Sequence, residues 1–299
     1  MSDRPVLTPN PRGGPFSRAL DSVRRRPGRA VKLMLLYTTL SFTALLMLTP
    51  LVWLVACAFK PREVFFTYTF FAPLSEMSLE NFDRLFSQLP FFRLMVNSMF
   101  ITGATVMVQL FFASLGGFAL AKYEFRGKRP IMLLMLATMM IPPQVMLAPM
   151  YELLCNLRLV DSYVGLIVPG MVSVFGMFLF RQSMMQIPDE MLEAARVDGC
   201  SEFGLYWRVA VPVSRPMIGA FCLLSFMGVW NSFIWPAIIL QNSQRFTLPL
   251  GLNQLVGLQQ QDYGAMMAGT LLSILPVVVL FFVLQKEFIS GLTAGAVKG

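Results

Sequence analysis

The residues best suited to chemistry lie in the 35-residue segment Arg181–Arg215. Its first half reads Ile187-Pro188-Asp189-Glu190-Met191-Leu192-Glu193-Ala194-Ala195-Arg196-Val197-Asp198-Gly199. A proline near a helix start, with two acids in the first turn facing the positive helix end, marks an N-terminus. Gly199 suits a left-handed stop, and Ser201 can cap a second short helix carrying Phe203, Leu205, Tyr206 and Trp207. The expectation is a helix, a glycine turn and a helix. Ala194 and Ala195 leave a shallow surface that a partner can approach closely, and Glu193 beside them offers a charge-assisted bond. The competing reading is an amphipathic helix lying on headgroups, and its many acids count against an anionic-lipid binder. The chemistry on offer is docking.

Catalytic chemistry has little to work with. The chain contains no His, which excludes imidazole metal sites, His general bases and Ser-His-Asp triads. Cys57, Cys155, Cys200 and Cys222 are far apart and form no CxxC, so neither a zinc site nor a disulfide framework is indicated. No metal or organic cofactor is expected. Polar side chains do occur within apolar stretches, namely Gln109, Gln144 and Asn231. They either line a hydrophilic path or serve as interhelical hydrogen-bonding groups. Asn231 stands between Trp230 and Trp235, and indoles beside an amide form a surface of the kind sugars favour. Interfacial belt tryptophans are the alternative, one that fits Trp235 better than Trp230.

These residues must be held by membrane helices. Of 299 residues, 56% are hydrophobic and only 13% charged, about half the charged share of a soluble domain. Six stretches lack any Asp, Glu, Lys or Arg: Met34–Ala58, Val96–Ala121, Ile131–Tyr151, Tyr163–Phe180, Pro216–Leu240 and Ala265–Gln285. As helices they would each extend roughly 27 to 39 Å, enough to cross a ~30 Å hydrocarbon core. The net charge of +8 lies beside these stretches, so nucleic acid is not the expected partner. Eighteen of the 24 Lys and Arg fall in one set of alternate connections and six in the other. By the positive-inside rule both termini are cytoplasmic. The expected fold is an all-α polytopic membrane protein of six transmembrane helices, N-in and C-in, with a cytoplasmic helix-turn-helix.

Residues 1–33 read as a disordered basic cytoplasmic leader, with Arg24-Arg25-Arg26 near anionic headgroups, and 286–299 as a cytoplasmic tail. Leu54-Val55-Ala56-Cys57 resembles a lipoprotein box, but its apolar region is too long and too far from the start for a signal peptide, so the first span is an uncleaved anchor. Pro50, Pro142-Pro143, Pro169, Pro236 and Pro276 are expected to interrupt five spans. No charge lies within a span, so ion coupling has no visible machinery. No inverted repeat of three spans and no TVGYG-like filter favours a secondary carrier or a channel. A membrane-embedded enzyme would need paired acids in the bilayer, which are absent.

Glu193-Ala194-Ala195, Gly199 and then Val209-Ala210-Val211-Pro212 resemble the EAA motif of inner-membrane permeases of binding-protein-dependent ABC importers. The family has Ile and Leu where this chain has Val209 and Val211. Further segments are similar to the carbohydrate-uptake subfamily, on the pattern of the second permease subunit of maltose-type systems: Ser78-Leu79-Glu80-Asn81-Phe82, Asn97-Ser98, Ala119–Gly127, Trp230–Pro236 and Gly291–Gly299. The resemblance implies a half-transporter at residues 34–285 of a bacterial inner membrane, with 181–215 as its coupling loop. It would pair with a second permease, take energy from an ABC ATPase dimer through Glu193, Ala194, Ala195, Gly199 and Pro212, and receive a sugar, polyol or related solute from an extracytoplasmic binding protein. The chain has no G-x-x-x-x-G-K-[ST] loop of its own, which agrees with borrowed energy. Gln109, Gln144, Trp230 and Asn231 are the candidate translocation path. The long connection Phe59–Met95, with Phe65-Phe66 and Phe70-Phe71, and Gln241–Gly264 are expected to face the binding protein.

Overall fold

The computed structural model describes residues 27–257 and 261–293, and among them it is helical, with no strand beyond a single bridge pairing Val256 with Gln261. In chain order the helices are α1 (Pro27–Ala58), α2 (Glu80–Gln88), α3 (Phe91–Lys122), α4 (Lys128–Met139), α5 (Leu147–Asn156), α6 (Tyr163–Ile167), α7 (Val174–Met184), α8 (Asp189–Val197), α9 (Glu202–Val213), α10 (Arg215–Trp230), α11 (Ile234–Ile239), α12 (Leu248–Asn253) and α13 (Tyr263–Thr293). Segments of α1, α3 and α13 are long and apolar enough to cross a membrane alone. Three further pairs pass the same test only as bent units: α4 with Pro143–Asn156 at 91°, Tyr163–Gly170 with α7 at 45°, and α9 with α10 at 80°. The chain divides into two compact units after Ala56.

Within the first unit, α1 presents Met34, Leu35, Tyr37, Phe42, Leu45 and Met47 as exposed apolar surface, the pattern of a helix whose solvent is lipid. Residues 27–33 are helical within α1 and not part of a disordered leader, since they run without a break into the apolar stretch that follows. Residues 1–26 of the expected leader lie outside the described residues. At the other end α13 continues to Thr293, so much of the expected tail is helical, since Lys286–Thr293 contains no proline to stop it. Residues 294–299 lie outside the described residues.

The prolines behave differently from one another. Pro50 and Pro276 sit inside the continuous helices α1 and α13, where one lost hydrogen bond does not end a long helix. Pro142 and Pro143 stand at the 91° bend, and Pro169 at the 45° bend. Pro236 lies within α11, after a break at Asn231–Phe233 that splits the expected span Pro216–Leu240.

In the second unit α3 is the spine, packed most extensively against α7, while α10 lies against both α3 and α13. Gly117 permits the closest approach: a Cβ there would stand 2.5 Å from Phe180 Cβ and 2.9 Å from the Arg181 backbone nitrogen. Buried Ala113, Phe180 and Phe221 fill the seam around it.

Polar staples tie the remaining elements. The Asn81 amide donates to the carbonyls of Ala58 (2.9 Å) and Lys60 (2.7 Å), and Arg84 pairs with Asp262 at 3.2 Å. Asp262 also caps α13 by accepting from Ala265 N at 3.0 Å. Asn97 donates to the carbonyls of Gln244 (2.9 Å) and Phe246 (3.0 Å) and accepts from the Tyr163 hydroxyl (2.9 Å). Replacing Gly117 with Val is expected to separate α3 from α7 and cost about 1–3 kcal/mol, because the neighbouring atoms are largely backbone and cannot swing away. A thermal melt of the detergent-solubilised protein checks this; an unchanged midpoint would show that the seam yields without cost.

Candidate functional site

The segment after α7 folds as α8, a glycine turn and α9. Pro188 stands immediately before α8, whose first turn holds Asp189 and Glu190. Leu192 is buried with Phe180, Met184, Leu205 and Tyr206, so one face of α8 is anchored. Glu193 and Ala194 are exposed on another face, and Ala195 is half-buried. Gly199 adopts φ +84°, with open space where a Cβ would be. The turn closes through Gly199 N to Arg196 O (2.9 Å) and Cys200 N to Ala195 O (3.0 Å). Ser201 Oγ then accepts from Gly204 N at 3.1 Å and caps α9, whose middle, Leu205–Ala210, winds as a π-helix. Pro212 is exposed in the last turn of α9.

This unit is fastened to the C-terminal end of α3 at three points. The Lys122 ammonium donates to Ile187 O and, at 2.7 Å, to Asp189 Oδ1, and its side chain is only 6% exposed. The Tyr123 hydroxyl donates to Glu202, which also accepts from Arg196 at 3.0 and 3.2 Å. Deeper in, the Ser114 and Tyr206 hydroxyls share a 2.7 Å hydrogen bond. The Lys122 hydrogen bond and charge hold the Asp189 carboxyl below its ordinary range. Arg196, then Tyr123, does the same for Glu202. Burial, followed by Glu202, pushes the Tyr123 hydroxyl up. A depressed carboxyl contributes above its unfolded value and is lost as pH falls through the folded one, so acid releases both carboxylate clasps; the raised Tyr123 hydroxyl contributes below its unfolded value, and its donation to Glu202 is lost as pH rises through the folded one.

The candidate path residues are not gathered at one place. Gln109 is committed at both ends of its amide: Nε2 donates to Gly170 O at 2.6 Å, at the bend beside α7, and Oε1 accepts from the Ser225 hydroxyl of α10. Its geometry is that of an interhelical hydrogen-bonding group. Gln144 is exposed at the α4–α5 bend. Trp230 is 3% exposed and stacks on Phe226 at 5.4 Å between ring centres. Asn231 donates to Met227 O at 2.9 Å and is exposed where α10 ends. Trp230 and Asn231 line one cavity. It measures about 290 Å³, with Phe233, Asn253, Thr270 and Ser273 also on its walls and no charged side chain in its lining. Trp235 is half-buried and packs on a separate apolar cluster that includes Ile239 and Leu240.

Sequence reasoning missed Lys122, Tyr123, Glu202 and Tyr206 as fasteners. Part of the signal was there: Lys122 and Tyr123 lie within Ala119–Gly127, a segment read only as a resemblance, and a cation in the last turn of a long apolar helix complements the helix end.

Comparison with known proteins places this arrangement. Residues 113–289 match the family model described as "binding-protein-dependent transport system inner membrane component". The arabinooligosaccharides transport system permease protein AraQ of Bacillus subtilis (strain 168) is 41% identical over 224 residues, covering 75% of this chain and 80% of that one. Among solved structures, a bacterial ABC transporter involved in the import of the acidic polysaccharide alginate superposes with a TM-score of 0.77 at 22% identity, over 87% of this chain and 98% of that one. A bacterial alginate ABC transporter in complex with an alginate pentasaccharide-bound periplasmic protein gives 0.62 at 16% identity, over 89% and 96%. The family match spans more than half of the chain, and with the AraQ identity it establishes that this protein belongs to the inner membrane components of binding-protein-dependent transport systems, as a permease subunit and not an enzyme.

Proposed function

We propose that this chain is one permease of an ATP-driven importer that carries a sugar or related polyol across the inner membrane. It does so with a second permease, a pair of ABC ATPase subunits and an extracytoplasmic binding protein. The observation that carries the reading is α8: Leu192 is buried beneath it while Glu193 and Ala194 remain exposed. A helix stitched down on one face and bare on the other is suited to a cleft in an ATPase subunit. Glu193, Ala194, Ala195, Gly199 and Pro212 form the coupling unit in this reading.

The six apolar segments cross the membrane with both termini inside, α10 continuing through the break at Asn231 into α11. The charge asymmetry supports this, and it leaves α8 and α9 on the cytoplasmic side. Residues 34–285 are then the transmembrane permease region and 181–215 its coupling loop. ATP binding closes the partner's dimer and carries α8 with it, and the permease alternates between inward- and outward-facing states because the two states engage α8 differently. The connections 59–95 and 241–264 face the binding protein. Sugar as the solute class is supported by the similarity to AraQ, a permease of an arabinooligosaccharides transport system, and by the uncharged, hydroxyl- and amide-lined cavity at Trp230 and Asn231. Gln109 and Gln144 serve in this reading as polar groups beside the path.

The test is charge reversal at Glu193 in the reconstituted complex. On a merely solvated surface, Glu193→Lys changes stability by about 0–1 kcal/mol. At a docking cleft the same change costs on the order of 2–5 kcal/mol of association, about thirtyfold or more. Normal membrane abundance, loss of ATPase retention and loss of uptake are expected; full retention and uptake would remove Glu193 from the docking surface.

Gly199 provides a second test, because the space around it is open and only its backbone angle is demanding. Gly199→Val forces a β-branched residue into the left-handed region, at a cost of roughly 1–2 kcal/mol, whereas Gly199→Asn is tolerated there. ATPase co-purification should fall for Val and persist for Asn. Equal retention by both would take the turn out of the mechanism.

A further inference from the structure

The coupling loop could in principle hang from the permease by apolar packing alone, which would let it slide. The contacts at the end of α3 argue otherwise. Lys122 is a nearly buried cation whose ammonium is used on two acceptors within three residues of each other, Ile187 O and Asp189 Oδ1. Both flank Pro188, at the entry to α8. Because a charge-assisted bond is directional and a desolvated ammonium is costly to leave without acceptors, α8 cannot move away from α3 cheaply. The second clasp, Tyr123 to Glu202 with Arg196 closing on the same carboxylate, holds the far side of the glycine turn. The two clasps come from adjacent residues, Lys122 at the end of α3 and Tyr123 just after it, and hold the loop on either side of α8, so α8 and the start of α9 are fixed in rotation as well as in position.

The other end of the connection is equally specific. Midway along α3, Gln109 grips Gly170 at the bend before α7 and Ser225 on α10. A displacement entering at Lys122 therefore reaches two other apolar elements through hydrogen bonds and not only through apolar contact. We propose that Lys122 is a positioning residue for energy coupling: it makes the loop a rigid extension of α3, so that movement imposed on α8 becomes movement of α3, α7 and α10. This rests on the reading of α8 as the ATPase-docking helix.

The experiment uses the full complex in proteoliposomes, with three readouts: ATPase retained on the permease, ATP hydrolysed, and solute taken up per ATP. For Lys122→Met, which keeps length and apolar bulk, retention and hydrolysis should stay within about twofold while uptake per ATP falls at least about tenfold. Lys122→Arg, which can serve both acceptors, should recover at least half of the uptake per ATP. A merely structural role would instead lower all three readouts together, in proportion to the amount of assembled complex, and that result overturns the proposal. So does normal uptake per ATP in Lys122→Met. Should Lys122→Met fail to assemble, Asp189→Asn decides the matter. Asp189 is 77% exposed in its side chain, so the change leaves the fold and the Ile187 bond in place. A drop in uptake per ATP of about threefold or more is expected, and no drop overturns the proposal. Failure here is distinguishable from failure of the docking reading, since the latter shows as ATPase retention that is indifferent to Glu193→Lys.

Discussion

Breaks in the apolar helices expose peptide groups that hydrocarbon cannot hydrate, and the arrangement of the second unit follows from how those groups are satisfied. The Gly170 carbonyl, freed at the 45° bend, is taken by the Gln109 amide of α3. The Met227 carbonyl at the end of α10 is taken by Asn231. The Ile239 carbonyl at the end of α11 receives the Asp161 N–H, while the Asp161 carboxylate accepts from Gln241 N and Asn242 N, both at 3.0 Å. A break is tolerated where a side chain or N–H supplies a partner, and the bonds from Gln109 and Asp161 also fix the relative position of two elements. Bends that would weaken an isolated helix thus become points of attachment.

With those attachments made, α3 is the element through which the others communicate. It carries Asn97 and Ser98 near its start, Gln109 in the middle, Gly117 at its closest contact with α7, and Lys122 at its end. Between them the buried face of α3 is formed by Ile101, Thr102, Thr105, Val106, Ala113 and Ser114, and a close-packed face transmits a displacement without absorbing much of it. The α8–α9 segment, fastened at the end of this helix, is thereby joined to the bend beside α7 and to α10. The Trp230–Asn231 cavity lies where α10 stops, beside α12 and α13, so movement of α10 acts on its walls.

The segments that resembled the importer family by type and spacing acquire physical roles in the fold. Asn81 ties the carbonyls after α1 to α2, Ser98 accepts from Leu248 N at 2.7 Å, and Asn97 holds the chain from Gln244 to Phe246. None of these roles follows from local pattern, because the bonded residues are separated by 21 to 150 positions in the chain. Gln109 illustrates the same limit. As a polar residue in a span it suited an interhelical bond somewhat better than a path, and the positions of Gly170 and Ser225 show both ends of its amide engaged.

What the sequence determined by itself were the properties set by composition and by neighbours within a few residues. These are the apolar stretches, the lack of catalytic groups, the cap at Ser201, the positive-φ stop at Gly199, and the spacing of Glu193-Ala194-Ala195, Gly199 and Pro212. Such features depend on helical periodicity, backbone sterics and charge sign, all of which are local. Tertiary structure decided that Pro50 and Pro276 stay within continuous helices while the span after Pro216 breaks at Asn231. It also decided that Lys122 and Tyr123 clasp the loop. A proline's effect depends on which neighbours can donate to the freed carbonyl, and a lysine's on which acceptors it meets once desolvated. Those partners come from distant parts of the chain and exist only when it has folded.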